Sequence, residues 1–219
     1  MSTEESHQHL KAIDAQTSEQ ELIEIYKSWS ETYDQDVTED LGYVAPKYAA
    51  EQLSEKLDEQ GLSKNARIID LGCGTGLVGE HFHKLGYTNV DGLDISLELI
   101  KIAEKKQVYK TLQCGYMASD KCKDLGMEPN QYDAAICIGV FTIGHVKSKG
   151  FDDLIYVVKP GGLVCFTIRE CIANDPSYGY FEKMNELCEL KKWRLVSKAN
   201  IVYHQVNNFK SWLYIYEIL

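Results

Sequence analysis

The first apolar pattern in the chain has the period of an amphipathic helix. Its apolar positions share one helical face and are Leu22, Ile25, Tyr26 and Trp29. Ser18 and Glu21 have the spacing of a capping box, which predicts that this helix begins just after Ser18. A second helix is predicted from about Pro46, a residue suited to a first helical turn, to Gly61. Residues 1–17 show no period, and we predict that they are flexible or only loosely docked.

From residue 67 onward, short apolar segments alternate with segments of helical length. The segments with strand character are Arg67–Leu71, Asn89–Leu93, Tyr109–Cys114, Tyr132–Gly139 and Leu163–Arg169. The first segment with helical character follows the glycine-rich turn described below and ends near Leu85. The others are Leu97–Lys106, Phe151–Val158 and about Tyr178–Lys191. Lys159–Gly162 is typical of a turn. Apolar strands that alternate with helices predict a parallel sheet covered on both faces.

The C-terminal part of the chain follows a different order. Two β-rich segments, Trp193–Tyr203 and Phe209–Leu219, are separated only by residues 204–208, whose composition suits a turn. Because no helix separates them, we predict an antiparallel pair at one edge of the sheet. The 219 residues contain no internal repeat and no linker-like stretch. We therefore predict a single domain, residues 1–219, with two helices in residues 18–64 ahead of a core in residues 65–219.

The segment with the clearest chemistry is a glycine-rich turn between a predicted strand and a predicted helix. It reads Asp70-Leu71-Gly72-Cys73-Gly74-Thr75-Gly76. Such a turn lets a ligand approach the backbone beside the free amides of a helix N-terminus. The dinucleotide fingerprint needs a further glycine where this chain has Leu77. The carboxylate of Asp70 suits a cationic amino group better than a pyrophosphate, which argues against a nicotinamide cofactor.

A second carboxylate, Asp94, lies at the end of the next predicted strand. At that place a carboxylate can accept hydrogen bonds from both hydroxyls of a ribose. The alternative is that Asp70 and Asp94 only cap helices. Taken with the glycine turn, the two carboxylates favour a cofactor that combines a nucleoside with a cationic amino-acid end, as the methyl donor S-adenosylmethionine does.

This pattern resembles that of the class I S-adenosylmethionine-dependent methyltransferases over roughly residues 65–219. The resemblance implies a Rossmann-like α/β fold with a seven-stranded, mostly parallel sheet, an antiparallel C-terminal hairpin at its edge and N-terminal lid helices. It also implies S-adenosylmethionine as cofactor and S-adenosylhomocysteine as product. Further segments are similar to the methyltransferase-like protein 27 family, namely Trp29–Val37, Gly42–Pro46, Val108–Lys110, Ile138–Val140 and Lys159–Cys165.

The same resemblance implies which residues contact the cofactor. They are Trp29, Tyr33, Asp70, Gly72, Cys73, Gly74, Gly76, Asp94, Ile95, Gly115, Tyr116, Met117, Ile138 and Gly139. The glycine turn would hold the methionine end, Asp94 the ribose, and Ile95 would lie against the adenine. The lid aromatics and the tip of the fourth strand would enclose the methionyl group. Gly115–Met117 would close over the adenine, but it lacks the acidic residue that many class I enzymes carry there, and none follows before Asp120.

Methyl transfer from a sulfonium needs an aligned acceptor, a dry site and, for some acceptors, removal of a proton. His145 follows the fourth strand, at the sheet edge where ligands bind in open α/β folds, and is our candidate base. A histidine with only a surface or hydrogen-bonding role is the alternative. Tyr33, which the resemblance places at the site, is the second candidate catalytic residue.

Three residues besides His145 are candidates for contact with the substrate. Tyr26 and Tyr43 offer aromatic faces, which can also stabilise a sulfonium cation. Arg169 ends the fifth predicted strand, where it pairs either with a substrate carboxylate or with the neighbouring Glu170.

The composition of the chain limits the kinds of partner that the protein is expected to bind. The formal net charge of -10 disfavours nucleic acid, and the lysine-rich segment Lys101–Lys110 is interleaved with Glu104 on a predicted solvated helix. No apolar run is long enough to span a bilayer, and the polar N-terminus lacks the features of a signal peptide, so we predict a cytoplasmic protein. Seven cysteines without a Cys-x-x-Cys pair predict neither disulfides nor a metal site.

These observations favour direct methyl transfer to a small molecule, because no inserted recognition domain accompanies the lid helices. A protein or peptide methyltransferase is an alternative, since an acidic surface attracts basic tails. A cofactor-binding protein without catalysis is another. The sequence does not reveal the substrate, the methylated atom or the oligomeric state.

Overall fold

The computed structural model describes residues 9–219. Helix α1 spans Glu19–Trp29 and carries the predicted capping box, in which Ser18 and Glu21 bond each other's backbone amides. A helical turn at Tyr33–Gln35 leads into a π-helix at Asp36–Asp40, two elements that the sequence did not predict. Helix α2 spans Ala45–Glu59, with Pro46 in its first turn.

The remaining elements alternate as predicted. The strands are β1 (Ile68–Leu71), β2 (Val90–Asp94), β3 (Thr111–Cys114), β4 (Tyr132–Phe141), β5 (Val158–Arg169), β6 (Trp193–His204) and β7 (Phe209–Ile218). The helices are α3 (Leu77–Lys84), α4 (Leu97–Lys106), α5 (Gly150–Val157) and α6 (Tyr180–Glu189), with short 3-10 helices at Cys122–Leu125 and Glu170–Ile172.

The seven strands form one sheet in the order β3-β2-β1-β4-β5-β7-β6. Strands β1 to β5 are parallel, and β7 runs antiparallel to both β5 and β6. The predicted fold class is therefore confirmed. The turn predicted at Lys159–Gly162 is part of β5 instead, but the pairing of β5 with β4 jumps from Val158 to Leu163, so these four residues bulge out of the ladder.

Both faces of the sheet are covered, which explains why the central strands are apolar without interruption. On one face Ile68 and Ile136 pack with α2 and α3, for example against Leu53, which is fully buried. On the other face Ile69 packs in a cluster with Phe151 of α5. Full burial of a leucine or phenylalanine side chain contributes about 1.5–3 kcal/mol, so the layers fix the sheet that positions the cavity described below.

Candidate active site

A cavity of about 820 Å³ lies where β1, β2 and β4 reach their carboxyl ends, beneath the N-terminal segment. Fourteen positions predicted from the sequence line it, and they are Tyr26, Trp29, Tyr33, Tyr43, Gly72, Gly74, Asp94, Ile95, Gly115, Met117, Ile138, Gly139, His145 and Arg169. We call the part formed by Gly72, Gly74 and Asp94 the glycine-loop side, and the part formed by Tyr43, Arg169 and Tyr203 the hairpin side.

Two glycines bring backbone to the glycine-loop side. Gly72 has a φ of +81°, and a Cβ atom built on it would lie 2.2 Å from Cγ2 of Val140. Gly74 has a φ of +53°, and a Cβ there would face open space. Only glycine adopts these conformations without strain. Gly72 is thus required by close packing below the loop, whereas Gly74 leaves room in the cavity above it.

Asp94 faces the cavity from the end of β2. Its Oδ2 accepts a hydrogen bond of 2.8 Å from the amide of Gly74, and its Oδ1 accepts one of 2.8 Å from the amide of Ser96. Burial raises the pKa of this carboxyl above its ordinary value, although these hydrogen bonds oppose the shift. Neither Asp94 nor Asp70 is a helix N-cap, because Ser96 caps α4 and Gly76 precedes α3.

Asp70 is fully buried and does not line the cavity. Its Oδ2 accepts a hydrogen bond of 2.6 Å from the hydroxyl of Tyr109, while its Oδ1 has no hydrogen-bond partner among the described residues. Burial raises the pKa of Asp70 to about 7. The ring of Tyr109 fills the space that a Cβ at Gly79 would need, 2.4 Å away, so small residues at the start of α3 make this contact possible.

The segment after β3 is split between the cavity and solvent. Gly115 and Met117 line the cavity, whereas Tyr116 does not and is 49% exposed. Ala118 also lines the cavity, and its amide donates to Oδ2 of the buried Asp153 on α5. Asp153 therefore anchors this loop from behind and does not reach the cavity itself.

The tip of β4 forms the floor between the two sides of the cavity. Gly139 has a φ of +82°, and its amide donates a 3.1 Å hydrogen bond to Oγ1 of Thr167 on β5. A Cβ on Gly139 would lie 2.8 Å from the hydroxyl oxygen of Tyr43 and 2.9 Å from that of Tyr203. Burial raises the pKa of both phenols. Two tyrosine hydroxyls therefore converge on a strand tip that has no side chain.

The lid is docked onto the core through Asp34. Its Oδ1 accepts from the hydroxyl of Thr75 in the glycine turn, and its Oδ2 lies 2.6 Å from Nζ of Lys106. Inside the lid, Nε1 of Trp29 donates a 2.7 Å hydrogen bond to the buried Asp36. The Trp29 ring meets the ring of Tyr33 edge to face, with centroids 4.7 Å apart. Burial raises the pKa of Tyr33 well above its ordinary value.

A second bond joins the lid to the loop after β4. The hydroxyl of Tyr26 lies 2.7 Å from Nε2 of His145, and Nδ1 of His145 lies 2.7 Å from the carbonyl oxygen of Ile143. Because a carbonyl only accepts, Nδ1 carries the proton, and Tyr26 donates to Nε2. Burial lowers the pKa of His145 below its ordinary value. The imidazole is therefore neutral at neutral pH.

Arg169 lines the hairpin side, and the sequence left its partner open. Its guanidinium carbon lies 5.1 Å from the ring centre of Tyr203 and 4.7 Å from that of Phe209. The Nε atom is buried without a hydrogen-bond partner among the described residues. Glu170, the alternative partner, instead accepts a 2.7 Å hydrogen bond from Asn200.

Several predicted positions lie outside the cavity lining. They are Asp70, Cys73, Gly76 and Tyr116. Cys73 packs toward Gly92, and burial raises the pKa of its thiol. The predicted roles of these four residues toward the cofactor stay predictions.

Sequence reasoning missed the contribution of the C-terminal hairpin to the site. Tyr203, His204 and Phe209 line the cavity because the turn between β6 and β7 lies at the carboxyl end of β5. That placement follows from the antiparallel pairing of β7 with β5, in which Arg169 faces Ser211. The predicted edge hairpin was the signal from which these residues could have been identified.

The segment before α1 also reaches the cavity. Leu10, Ile13 and Thr17 line it, and atoms of Ile13 and Asp14 lie against Gly144. Loose docking was predicted for residues 1–17, and of these, residues 1–8 lie outside the described residues. Residues 9–219 hold no group of three His, Cys, Asp or Glu side chains placed to bind a metal ion.

Comparison with known proteins places this geometry in a family. Residues 68–162 match the methyltransferase domain family. Methyltransferase-like protein 27 of Homo sapiens is 34% identical over 157 residues, which cover 69% of this chain and 59% of that protein. A ubiquinone biosynthesis O-methyltransferase of Burkholderia orbicola (strain MC0-3) is 32% identical over 105 residues, or 46% of this chain and 43% of that protein.

A solved structure supports the fold over a longer range. The magnesium protoporphyrin IX methyltransferase of Synechocystis PCC 6803, with bound SAH, superposes with a TM-score of 0.66 at 12% sequence identity. The match covers 92% of this chain and 100% of that one. The chain nevertheless spans less than two thirds of the length of either curated relative. The predicted family is confirmed: the chain carries a methyltransferase domain, and its fold is that of S-adenosylmethionine-dependent methyltransferases.

Proposed function

We propose that this protein transfers the methyl group of S-adenosylmethionine to a small molecule enclosed in the cavity. The observation that carries the proposal is the volume of the cavity together with its position beneath the lid. A cavity of about 820 Å³ lies between a glycine turn and a lid that is bonded to that turn. Small-molecule sites have volumes of roughly 300–1,000 Å³, so the cavity has the size for a cofactor and a small acceptor and not for a folded protein.

The residues on the glycine-loop side fit the cofactor. Each carboxylate oxygen of Asp94 accepts one backbone hydrogen bond and keeps a lone pair, so the pair of oxygens has acceptors left for two ribose hydroxyls. Gly74 leaves open space above the turn. Oδ1 of Asp70 is a buried acceptor without a partner among the described residues, as a nearby ammonium group would require. When bound, the cofactor supplies the activated methyl group.

On the hairpin side, the chain aligns the acceptor and excludes water. The hydroxyls of Tyr43 and Tyr203 converge on Gly139 and occupy the space that a side chain there would need, so both face an acceptor held at this strand tip. Trp29 and Tyr33 of the lid cover the same space from above. Alignment in a dry site is the main requirement for displacement at a sulfonium carbon.

Where the acceptor must lose a proton, Tyr26 and His145 provide the route. The acceptor gives its proton to the phenolic oxygen of Tyr26, and Tyr26 passes its own proton to Nε2 of His145. The 2.7 Å hydrogen bond and the neutral state of His145 support this direction of transfer. Tyr26 thereby remains a neutral phenol, which matters because burial raises its pKa.

One observation favours a small molecule over a basic peptide. The described residues that line the cavity include more cationic than anionic side chains, namely Lys11, Lys147, Lys149 and Arg169 against Glu19 and Asp94, and of the four cations Lys149 is already paired with Asp120. A basic tail would meet repulsion there, although the chain as a whole carries a net charge of -10. A peptide methyltransferase and a cofactor-binding protein without catalysis are therefore the alternatives to be tested.

The test has two stages. S-adenosylhomocysteine should raise the melting temperature of the protein clearly, whereas NAD should not, because a ligand that binds only the folded state stabilises it. Release of S-adenosylhomocysteine is then measured with amines, phenols, carboxylates, thiols and basic peptides as acceptors. The absence of stabilisation would contradict the cofactor, and turnover of peptides alone would contradict the small-molecule substrate.

No helix within residues 9–219 is long and apolar enough to cross a membrane. A cytoplasmic location and the lack of nucleic-acid or membrane partners stay predictions from the sequence.

A further inference from the structure

The hairpin side holds a cation whose partner is absent from the described chain. Arg169 is half-buried, its Nε is fully buried, and neither a hydrogen bond nor an ion pair joins it to any residue in 9–219. Its charge is met only by the faces of Tyr203 and Phe209. Burying the Nε–H group without a hydrogen-bonding partner costs free energy that the ring faces offset only in part. The arrangement therefore suits a group that completes it.

The position of Arg169 relative to Gly139 limits what that group does. The hydroxyl of Tyr203 reaches the space over Gly139, whereas the guanidinium lies against the face of the same ring. The ring of Tyr203 thus links the guanidinium to the strand tip. A group bound there anchors the substrate at a distance from the atom that is methylated.

We infer that the acceptor is a small molecule with a carboxylate, which Arg169 binds as an anchor while a second group of the same molecule is methylated near Gly139. This inference rests on the proposed function and names the substrate class of the same site. A planar guanidinium binds a carboxylate with paired hydrogen bonds, which a neutral amide cannot reproduce. The excess of cationic side chains around the cavity draws an anion in the same direction.

Binding of matched acids and amides tests the inference directly. The protein, saturated with S-adenosylhomocysteine, is titrated with benzoate, 4-hydroxybenzoate, phenylacetate and octanoate, and with the primary amide of each. At least one acid should bind roughly 10- to 100-fold more tightly than its amide, the range expected for hydrogen bonds to a charged group. The preference should vanish in Arg169→Met and persist in part in Arg169→Lys.

Lys198→Met is the matched control. Nζ of Lys198 lies 4.2 Å from the ring centre of Trp212 on the same hairpin, but Lys198 does not line the cavity. This variant loses a cation from an aromatic face and should keep the full preference for acids. Stabilisation of each variant by S-adenosylhomocysteine shows that it is folded. Equal binding of every acid and its amide by the unaltered protein, or an undiminished preference in Arg169→Met, would overturn the inference.

Failure of this inference is distinguishable from failure of the proposed function. If S-adenosylhomocysteine does not bind, the proposed function fails. If it binds, and a neutral acceptor is methylated equally by the unaltered protein and by Arg169→Met, only the carboxylate anchor fails. Methylation of the anchored carboxylate itself, detected as a methyl ester, would overturn the assignment of Arg169 as an anchor.

Discussion

The two sides of the cavity are built in different ways. The glycine-loop side consists of the backbone of one glycine turn and the carboxylate of Asp94, which bonds Gly74 from the neighbouring strand. The hairpin side consists of side chains from distant parts of the chain, since Tyr43, Gly139 and Tyr203 meet at one point. One side is organised by local turn chemistry and the other by tertiary packing.

This difference is informative about function. Backbone amides and fixed carboxylates present the same groups whatever surrounds them, so the glycine-loop side suits an invariant cofactor. Aromatic side chains and an unpaired guanidinium depend on loops and on a sheet edge, where substrate specificity is readily altered. The comparison predicts that substitutions on the two sides affect different measurements.

The largest effect is expected from Gly72→Ala. Its φ of +81° disfavours any side chain, and a Cβ would collide with Val140 at 2.2 Å. The free energy of unfolding should fall by roughly 2–5 kcal/mol, the sum of backbone strain and overpacking. Chemical denaturation measures it. Gly61→Ala is the control, because Gly61 has a φ of +73° but open space around it. Equal losses in the two variants would contradict the packing role of Gly72.

Asp94→Asn should weaken binding of S-adenosylhomocysteine by at least about 100-fold, because two hydrogen bonds to a charged acceptor are worth roughly 3 kcal/mol or more. Isothermal titration calorimetry measures the affinity. Asp91→Asn is the matched control on the same strand, since Asp91 is equally buried but bonds Arg67, Thr111 and Tyr132 away from the cavity. It should lower stability and leave affinity intact. An unchanged affinity in Asp94→Asn would show that Asp94 does not bind the ribose.

The variant Asp70→Asn tests the ionisation state of the buried carboxyl that precedes the glycine turn. The pKa of Asp70 is raised to about 7 in the fold, so the folded protein holds a proton that the unfolded chain releases near pH 4. The contribution of Asp70 to the free energy of unfolding is therefore present at low pH and is lost as the pH rises through about 7.

The melting temperature of the ligand-free protein should therefore fall relative to that of Asp70→Asn as the pH rises from about 4 to about 7, with little further change above. Melting curves of both proteins at several pH values measure this difference. A difference that does not change with pH would mean that Asp70 is already ionised in the fold. Saturation with S-adenosylhomocysteine should reduce the pH dependence, because a nearby ammonium group favours the ionised carboxylate.

The smallest effect is expected from Tyr26→Phe, which removes the hydrogen bond from the lid to His145. The loss should be about 1 kcal/mol of lid stability, seen as faster hydrogen exchange in residues 19–29. Tyr48→Phe is the control, because Tyr48 is exposed on α2.

The pH profile of this exchange checks the role of His145. Burial lowers the pKa of His145, so the unfolded or opened state binds a proton more readily than the closed one. The closed lid is thus most stable above the ordinary histidine pKa and opens as the pH falls below it. Tyr26→Phe should weaken that dependence, and an identical pH profile in both proteins would contradict the bond.

The sequence determined a large part of this molecule by itself. The capping box at Ser18, the strand and helix alternation and the C-terminal hairpin were all readable, because each is encoded by residues a few positions apart. The glycine turn and Asp94 were readable for the same reason. In a parallel sheet, moreover, the ends of neighbouring strands necessarily meet at one edge.

Only the tertiary structure decided the rest. The sequence predicted a cofactor role for Asp70, but only the structure shows that Tyr109 bonds its carboxylate through the space left by Gly79. Arg169 had two possible partners, and the bond between Glu170 and Asn200 leaves it facing the cavity. These contacts depend on which side chains are brought together by strands that are distant in the sequence. The apolar periodicity of the sequence does not encode such contacts. The sequence thus specified the fold and the cofactor side, whereas packing at the sheet edge specified the side that we assign to the substrate.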